Sequence, residues 1–154
     1  MRRITDMKPS HLATFALMAL LAPAAATVHA ADASAVAVNS ATAKNRVVFQ
    51  VNEDDSRKWN SILVNISNVQ EELGRVDVAV VVIGSGLGML KVDALTANRV
   101  QDAMATGVRF VACGNSMQAQ HLTKDDMIDG IAYAKAGYVE VMRLQQQGWT
   151  YIRP

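Results

Sequence analysis

From Arg46 onward the apolar residues switch repeatedly between two spacings, and this switching predicts the architecture. Arg46-Val47-Val48-Phe49-Gln50-Val51 is a short β-branched run with the composition of a buried strand. Asn52-Glu53-Asp54-Asp55-Ser56 interrupts it with several residues able to cap a helix. Trp59, Ile62, Leu63, Ile66, Val69 and Leu73 then recur at intervals of three and four, with Asn60, Asn65, Asn68 and Glu71 between them. That spacing predicts an amphipathic helix, ended by Gly74. Val76 to Ile83 is almost wholly apolar, as a central strand covered on both faces must be.

A glycine loop, Gly84-Ser85-Gly86-Leu87-Gly88, follows that strand. Leu95, Val100 and Met104 predict a second helix stopping at Gly107, and Val108 to Ala112 a third strand with Cys113 at its end. Asn115 to Ile128 has mixed helical character, and Ile131 to Ala134 reads as a short fourth strand. Tyr138 to Gln147 predicts a last helix whose apolar positions nearly encircle it, and Thr150 to Ile152 a terminal edge strand. Strands alternate with helices, so the fold class is α/β: a mostly parallel sheet with helices on both faces. In such sheets functional groups collect at the C-terminal ends of the strands, where Asn52–Ser56, Gly84–Met89 and Cys113–Met117 are expected to converge.

The first 30 residues have a different pattern. Arg2, Arg3 and Lys8 precede an apolar stretch from Leu12 to Ala26, and Val28-His29-Ala30 places small residues before a cut. This is the layout of a secretory signal peptide, and it predicts export to a bacterial periplasm. Pro23 and the many alanines make the stretch weak as a permanent span, so no membrane attachment is expected after cleavage. Residues 31–44, rich in Ala, Ser, Thr, Val and Asn, read as a flexible tether, leaving one domain over 45–154. The whole chain of 154 residues carries 15 basic and 14 acidic side chains; losing Arg2, Arg3, Lys8 and Asp6 with the leader leaves 12 and 13. A near-neutral domain without a basic stripe gives no reason to expect a nucleic-acid partner.

Chemistry centres on the only cysteine, Cys113. With no second cysteine it is an inert core residue, an intermolecular partner or a reactive thiol. A cysteine just before a helix meets unpaired backbone N–H groups and the positive end of the helix dipole, which favour thiolate. Gly114 allows close backbone approach, while Asn115 or Ser116 can cap the helix or bond the sulfur. Gly84, Ser85 and Gly86 are expected to leave room beside the cysteine loop. They do not make a dinucleotide site, because Met89 stands where the third glycine belongs and the loop follows the second strand. No phosphate-binding loop is present, and no cofactor is called for.

His121, the one histidine beyond the leader, is expected to face solvent, and one cysteine with one histidine makes a poor metal site. Met104, Met117, Met127 and Met142 are expected in the core, and Glu53-Asp54-Asp55 as a solvated helix cap.

The chain resembles the DsrE/DsrF-like (YchN-like) family. The resemblance is carried by Val47–Val51, by Trp59 with Asn65–Asn68, by the Gly84 loop, by Gly107–Met117, and by Ala136–Gln145 with Gly148–Pro154. It implies a three-layer α/β sandwich, usually a homo-oligomer (trimer or hexamer), in which some relatives carry sulfur as a persulfide at the place matched by Cys113. A sulfur donor or acceptor protein is then the expected partner, and the chain a carrier more than a turnover enzyme. Those carriers are cytoplasmic, whereas this chain has an export signal. Some also show basic residues after their cysteine, where this chain has Gln118, Ala119 and Gln120. A non-catalytic scaffold with a packed Cys113, and a redox sensor that pairs Cys113 with another chain, remain as alternatives.

Overall fold

The computed structural model describes residues 44–154; the expected signal peptide, and all of the expected tether but Lys44, lie outside the described residues. Five strands, β1 (Asn45–Val51), β2 (Val76–Val82), β3 (Arg109–Cys113), β4 (Ala132–Ala134) and β5 (Thr150–Ile152), form one sheet in the order β4-β3-β2-β1-β5. Every adjacent pair is parallel. The helices are α1 (Ser56–Leu73), α2 (Ala97–Ala105), α3 (Gly114–Ala119) and α4 (Gly137–Gln146), with 3-10 turns at Gly84–Leu90 and Lys124–Asp126.

Strand parity divides the core. Val47, Phe49, Val51, Val78, Val80, Val82, Phe110 and Ala112 point to one face, where Trp59, Ile62, Leu63 and Ile66 of α1, Val100 of α2 and Met117 of α3 cover them. Val48, Ala79, Val81, Ile83, Val111 and Cys113 point to the other face, against Val141 and Leu144 of α4. The chain steps in one direction from β1 to β4, so right-handed crossovers put α1, α2 and α3 on one side. The return from β4 to β5 carries α4 across the opposite side. One ten-residue helix is therefore the only helical cover on that face among the described residues.

Local signals set the boundaries of α1. Asp55 Oδ1 accepts hydrogen bonds from the N–H groups of Arg57 (2.9 Å) and Lys58 (3.3 Å), which starts the helix. Gly74, at φ 63°, ends it and donates its N–H to the Gln70 carbonyl at 3.0 Å. The buried stripe Trp59, Ile62, Leu63, Ile66 follows the expected spacing, each side chain contributing about 1.5–3 kcal/mol by burial. Leu73 lies beyond the end of the core and is exposed.

Other departures have similar causes. Leu95 precedes α2 and is 90% exposed, leaving Val100 as that helix's buried anchor. The glycine loop coils into a 3-10 turn that buries Leu87, Met89 and Leu90. The mixed segment is helical only in α3 and at Lys124–Asp126, where the Thr123 N–H and hydroxyl both donate to Asp126 Oδ2 (2.7 and 2.8 Å). Met117 and Met127 are buried and Met104 half-buried, but Met142 departs from the core expectation at 57% exposed, on the outer side of α4.

Candidate functional site

Cys113 is the last residue of β3 and the N-cap of α3, with extended backbone at φ −77° and ψ 112°. Its parity with Val111 turns the side chain toward α4. There the first N–H of α4, from Gly137, donates to Sγ at 3.3 Å. The sulfur thus stands where the N-termini of two helices meet. The approach requires glycine: a Cβ on Gly137 would lie 2.6 Å from Ile83 Cγ1 and 3.1 Å from Cys113 Cβ.

Burial pushes the Cys113 thiol up, but hydrogen bonding more than offsets it and holds the thiol below its ordinary value. The Ser116 hydroxyl gives the largest of these contributions, followed by the Gly137 N–H and the N–H groups of Ser116 and Asn115. The Asn115 N–H also donates to the Lys135 carbonyl at 3.0 Å. The donors are neutral, so the preference for thiolate comes from oriented dipoles rather than from a nearby cation. Cys113 is 4% exposed, beneath the Lys135–Gly137 turn and Ile83.

Three loops meet here at the C-terminal ends of the strands. The Gly84 N–H donates to Ser116 Oγ at 2.9 Å, and the Ser85 hydroxyl donates to the Asn52 carbonyl at 2.8 Å. Gly84 takes φ 58°, a left-handed conformation that favours glycine. Gly86 packs on the end of β1, where an added Cβ would lie 2.9 Å from the Val51 carbonyl oxygen. Gly114 lies against the Ala134 and Lys135 carbonyls, and Asn115 faces solvent. Ser116 follows Cys113 in the first turn of α3 and helps lower its thiol, Gly84 is bonded to Ser116, and Ser85 and Gly86 lie one step further out.

Sequence reasoning missed Gly137, Ile83 and Gln120, whose side-chain amide donates to the Gly84 carbonyl at 2.7 Å. The one available signal was Gly137 itself, a glycine at the start of a helix, where flexibility is unfavourable unless close packing demands it. His121 is exposed at φ 55°. Of the acidic run, Asp55 caps α1, Asp54 is exposed, and Glu53 bonds Arg153 at 3.2 Å.

Comparison with known proteins gives a family and a fold. The model of the DsrE/DsrF-like family matches residues 22–154. The structure of MTH1491, a protein of unknown function from Methanobacterium thermoautotrophicum, is 34% identical. The match covers 71% of this chain and 99% of that one, with a TM-score of 0.70. A conserved protein of unknown function from Bacteroides thetaiotaomicron, BT1422, shares the fold at 10% identity and a TM-score of 0.60, over 71% of this chain and 95% of its own. No curated protein matches the chain.

Proposed function

The chain belongs to the DsrE/DsrF-like family, which points to sulfur chemistry, and from that premise we propose that it is an exported sulfur carrier with Cys113 as the acceptor. The observation that carries this reading is the sulfur's setting: Sγ accepts the Gly137 N–H, and the neighbouring donors hold the thiol below its ordinary value. The Cys113 thiolate attacks the terminal sulfur of a donor persulfide, R–S–SH. A new S–S bond forms to Cys113, the donor's S–S bond breaks, and the donor leaves as a thiolate, R–S⁻. No external oxidant is consumed, and reversal of the same exchange passes the sulfur to an acceptor thiolate.

Export of the chain to the periplasm through residues 1–30 is part of this reading. An unpaired thiol in an oxidising compartment needs shielding, and the burial of Cys113 supports that point. The reading also includes self-association through the outer side of α4, where Tyr138 and Met142 are exposed. Sedimentation velocity is expected to give a trimer or hexamer; a monomer at high concentration would contradict it.

Burial equally favours a second reading, a non-catalytic scaffold in which Cys113 is only packed. Alkylation separates the two. The carrier reading expects Cys113 to react in the native protein, because its cover includes the Lys135–Ala136 turn, and turns open at lower free-energy cost than core strands. A thiol that reacts only after global unfolding would establish the scaffold.

A further inference from the structure

The C-terminal segment runs along the outside of β1, where β5 forms the sheet edge. Arg153 Nη2 donates to Asn52 Oδ1 and to Glu53 Oε1, both at 3.2 Å, while the Tyr151 hydroxyl donates to the buried Gln50 Oε1 at 2.7 Å. The Asn52 carbonyl that accepts from Ser85 therefore belongs to a turn anchored from outside by Arg153.

We propose that Arg153 is a positioning residue for Cys113: it fixes the Asn52–Glu53 turn, which seats Ser85 and Gly84, and Gly84 in turn orients the Ser116 hydroxyl toward the sulfur. The contacts of Arg153 with Asn52, of Ser85 with the Asn52 carbonyl and of Gly84 with Ser116 Oγ are hydrogen bonds of defined direction; Ser85 and Gly84 are joined by the chain, and Ser116 stands in the first turn of the helix that Cys113 caps. A serine hydroxyl has one proton, and accepting the Gly84 N–H at 2.9 Å leaves that proton to be donated elsewhere. Gln120 holds the Gly84 carbonyl from the end of α3, so the Gly84 turn is braced on the cysteine side and leans on Asn52 on the other. Losing Arg153 leaves the Asn52–Glu53 turn held from α1 by the Trp59 indole N–H, which donates to the Glu53 carbonyl at 2.7 Å, but loosens its Asn52 side and, through Ser85, widens the range of positions open to the Gly84 N–H.

Of the charged groups on the elements around the sulfur, Arg109 of β3 and Glu140 of α4 pair with each other at 3.2 Å, Asp77 near the start of β2 pairs with Lys44 at 2.6 Å, and Arg143 of α4 and Lys135 in the turn before it are exposed. Glu53 and Arg153 act at the outer end of the relay, where they pair at 3.2 Å.

The inference deepens the carrier reading and rests on it for its purpose. Its test uses an alkylating reagent and no sulfur donor, so failure here is distinct from failure to form a persulfide. The rate of Cys113 alkylation is measured against pH in the full chain and in Arg153→Ala, Arg153→Lys and Ser85→Ala. Arg153→Ala and Ser85→Ala should each slow alkylation about two- to threefold near neutral pH and move the midpoint of the profile upward. Arg153→Lys should recover part of the rate, and the Arg153→Ala/Ser85→Ala double variant should be no slower than Ser85→Ala alone. An unchanged midpoint in Arg153→Ala overturns the proposal, as do additive effects in the double variant. Faster alkylation in Arg153→Ala also overturns it, because that outcome means Arg153 only holds the fold closed over the thiol.

Discussion

At the scale of the residue, the sulfur of Cys113 is governed by opposed effects, burial that disfavours the anion and hydrogen bonding that favours it. Hydrogen bonding prevails, so the folded thiol binds its proton less tightly than the thiol of the unfolded chain, whose ordinary value is 9.0. The resulting stabilisation is complete above the unfolded value and fades as pH falls through the folded one. The melting temperature of the protein relative to Cys113→Ser is therefore expected to rise between about pH 7 and about pH 9. A difference that stays flat or falls across that window would show that the thiol is not stabilised as an anion. Much of this site was legible in the chain: a lone cysteine closing an apolar run, followed by Gly114-Asn115-Ser116. The role of Gly137 was not, because it lies 24 residues further along and reaches the sulfur only when β4 pairs with β3.

At the scale of the element, periodicity located the long, strongly patterned segments and failed where tertiary contacts decide. The spacing of Trp59, Ile62, Leu63 and Ile66 identified α1, and the strand-like runs identified β1 to β3. Leu95 misled because an apolar residue just ahead of a helix looks like part of its stripe until the chain direction is known. The start of α4 is the most constrained junction in the site. A methyl group on Gly137 would press on Ile83 Cγ1 at 2.6 Å and Cδ1 at 2.9 Å as well as on Cys113. Gly137→Ala is expected to destabilise the protein by about 1–3 kcal/mol, as overpacking of a core does. Denaturant unfolding checks this, and Ile83→Val should relieve part of the cost in the double variant. Equal stability of Gly137→Ala and wild type would mean that α4 can shift away from the sulfur without penalty.

At the scale of the whole molecule, one topological choice organises the rest. Four strands added in one direction place three helices on one face, and the jump back to β5 leaves the other face to α4, with Cys113 beneath its first residue. The alternation of strands and helices made the parallel sheet with helices on both faces readable from sequence. The strand order was beyond reach, because the signals in Thr150–Ile152 describe an edge strand without saying which edge. The same topology brings Arg153 to the Asn52 turn, so the end of the chain bears on the loop network of the thiol. The central claim is that this network makes Cys113 an acceptor of sulfane sulfur. Intact mass after treatment of the purified protein with polysulfide tests it most directly. The account predicts a gain of one sulfur atom that is reversed by reductant and absent in Cys113→Ser; an unchanged mass in a protein whose Cys113 alkylates normally would contradict it.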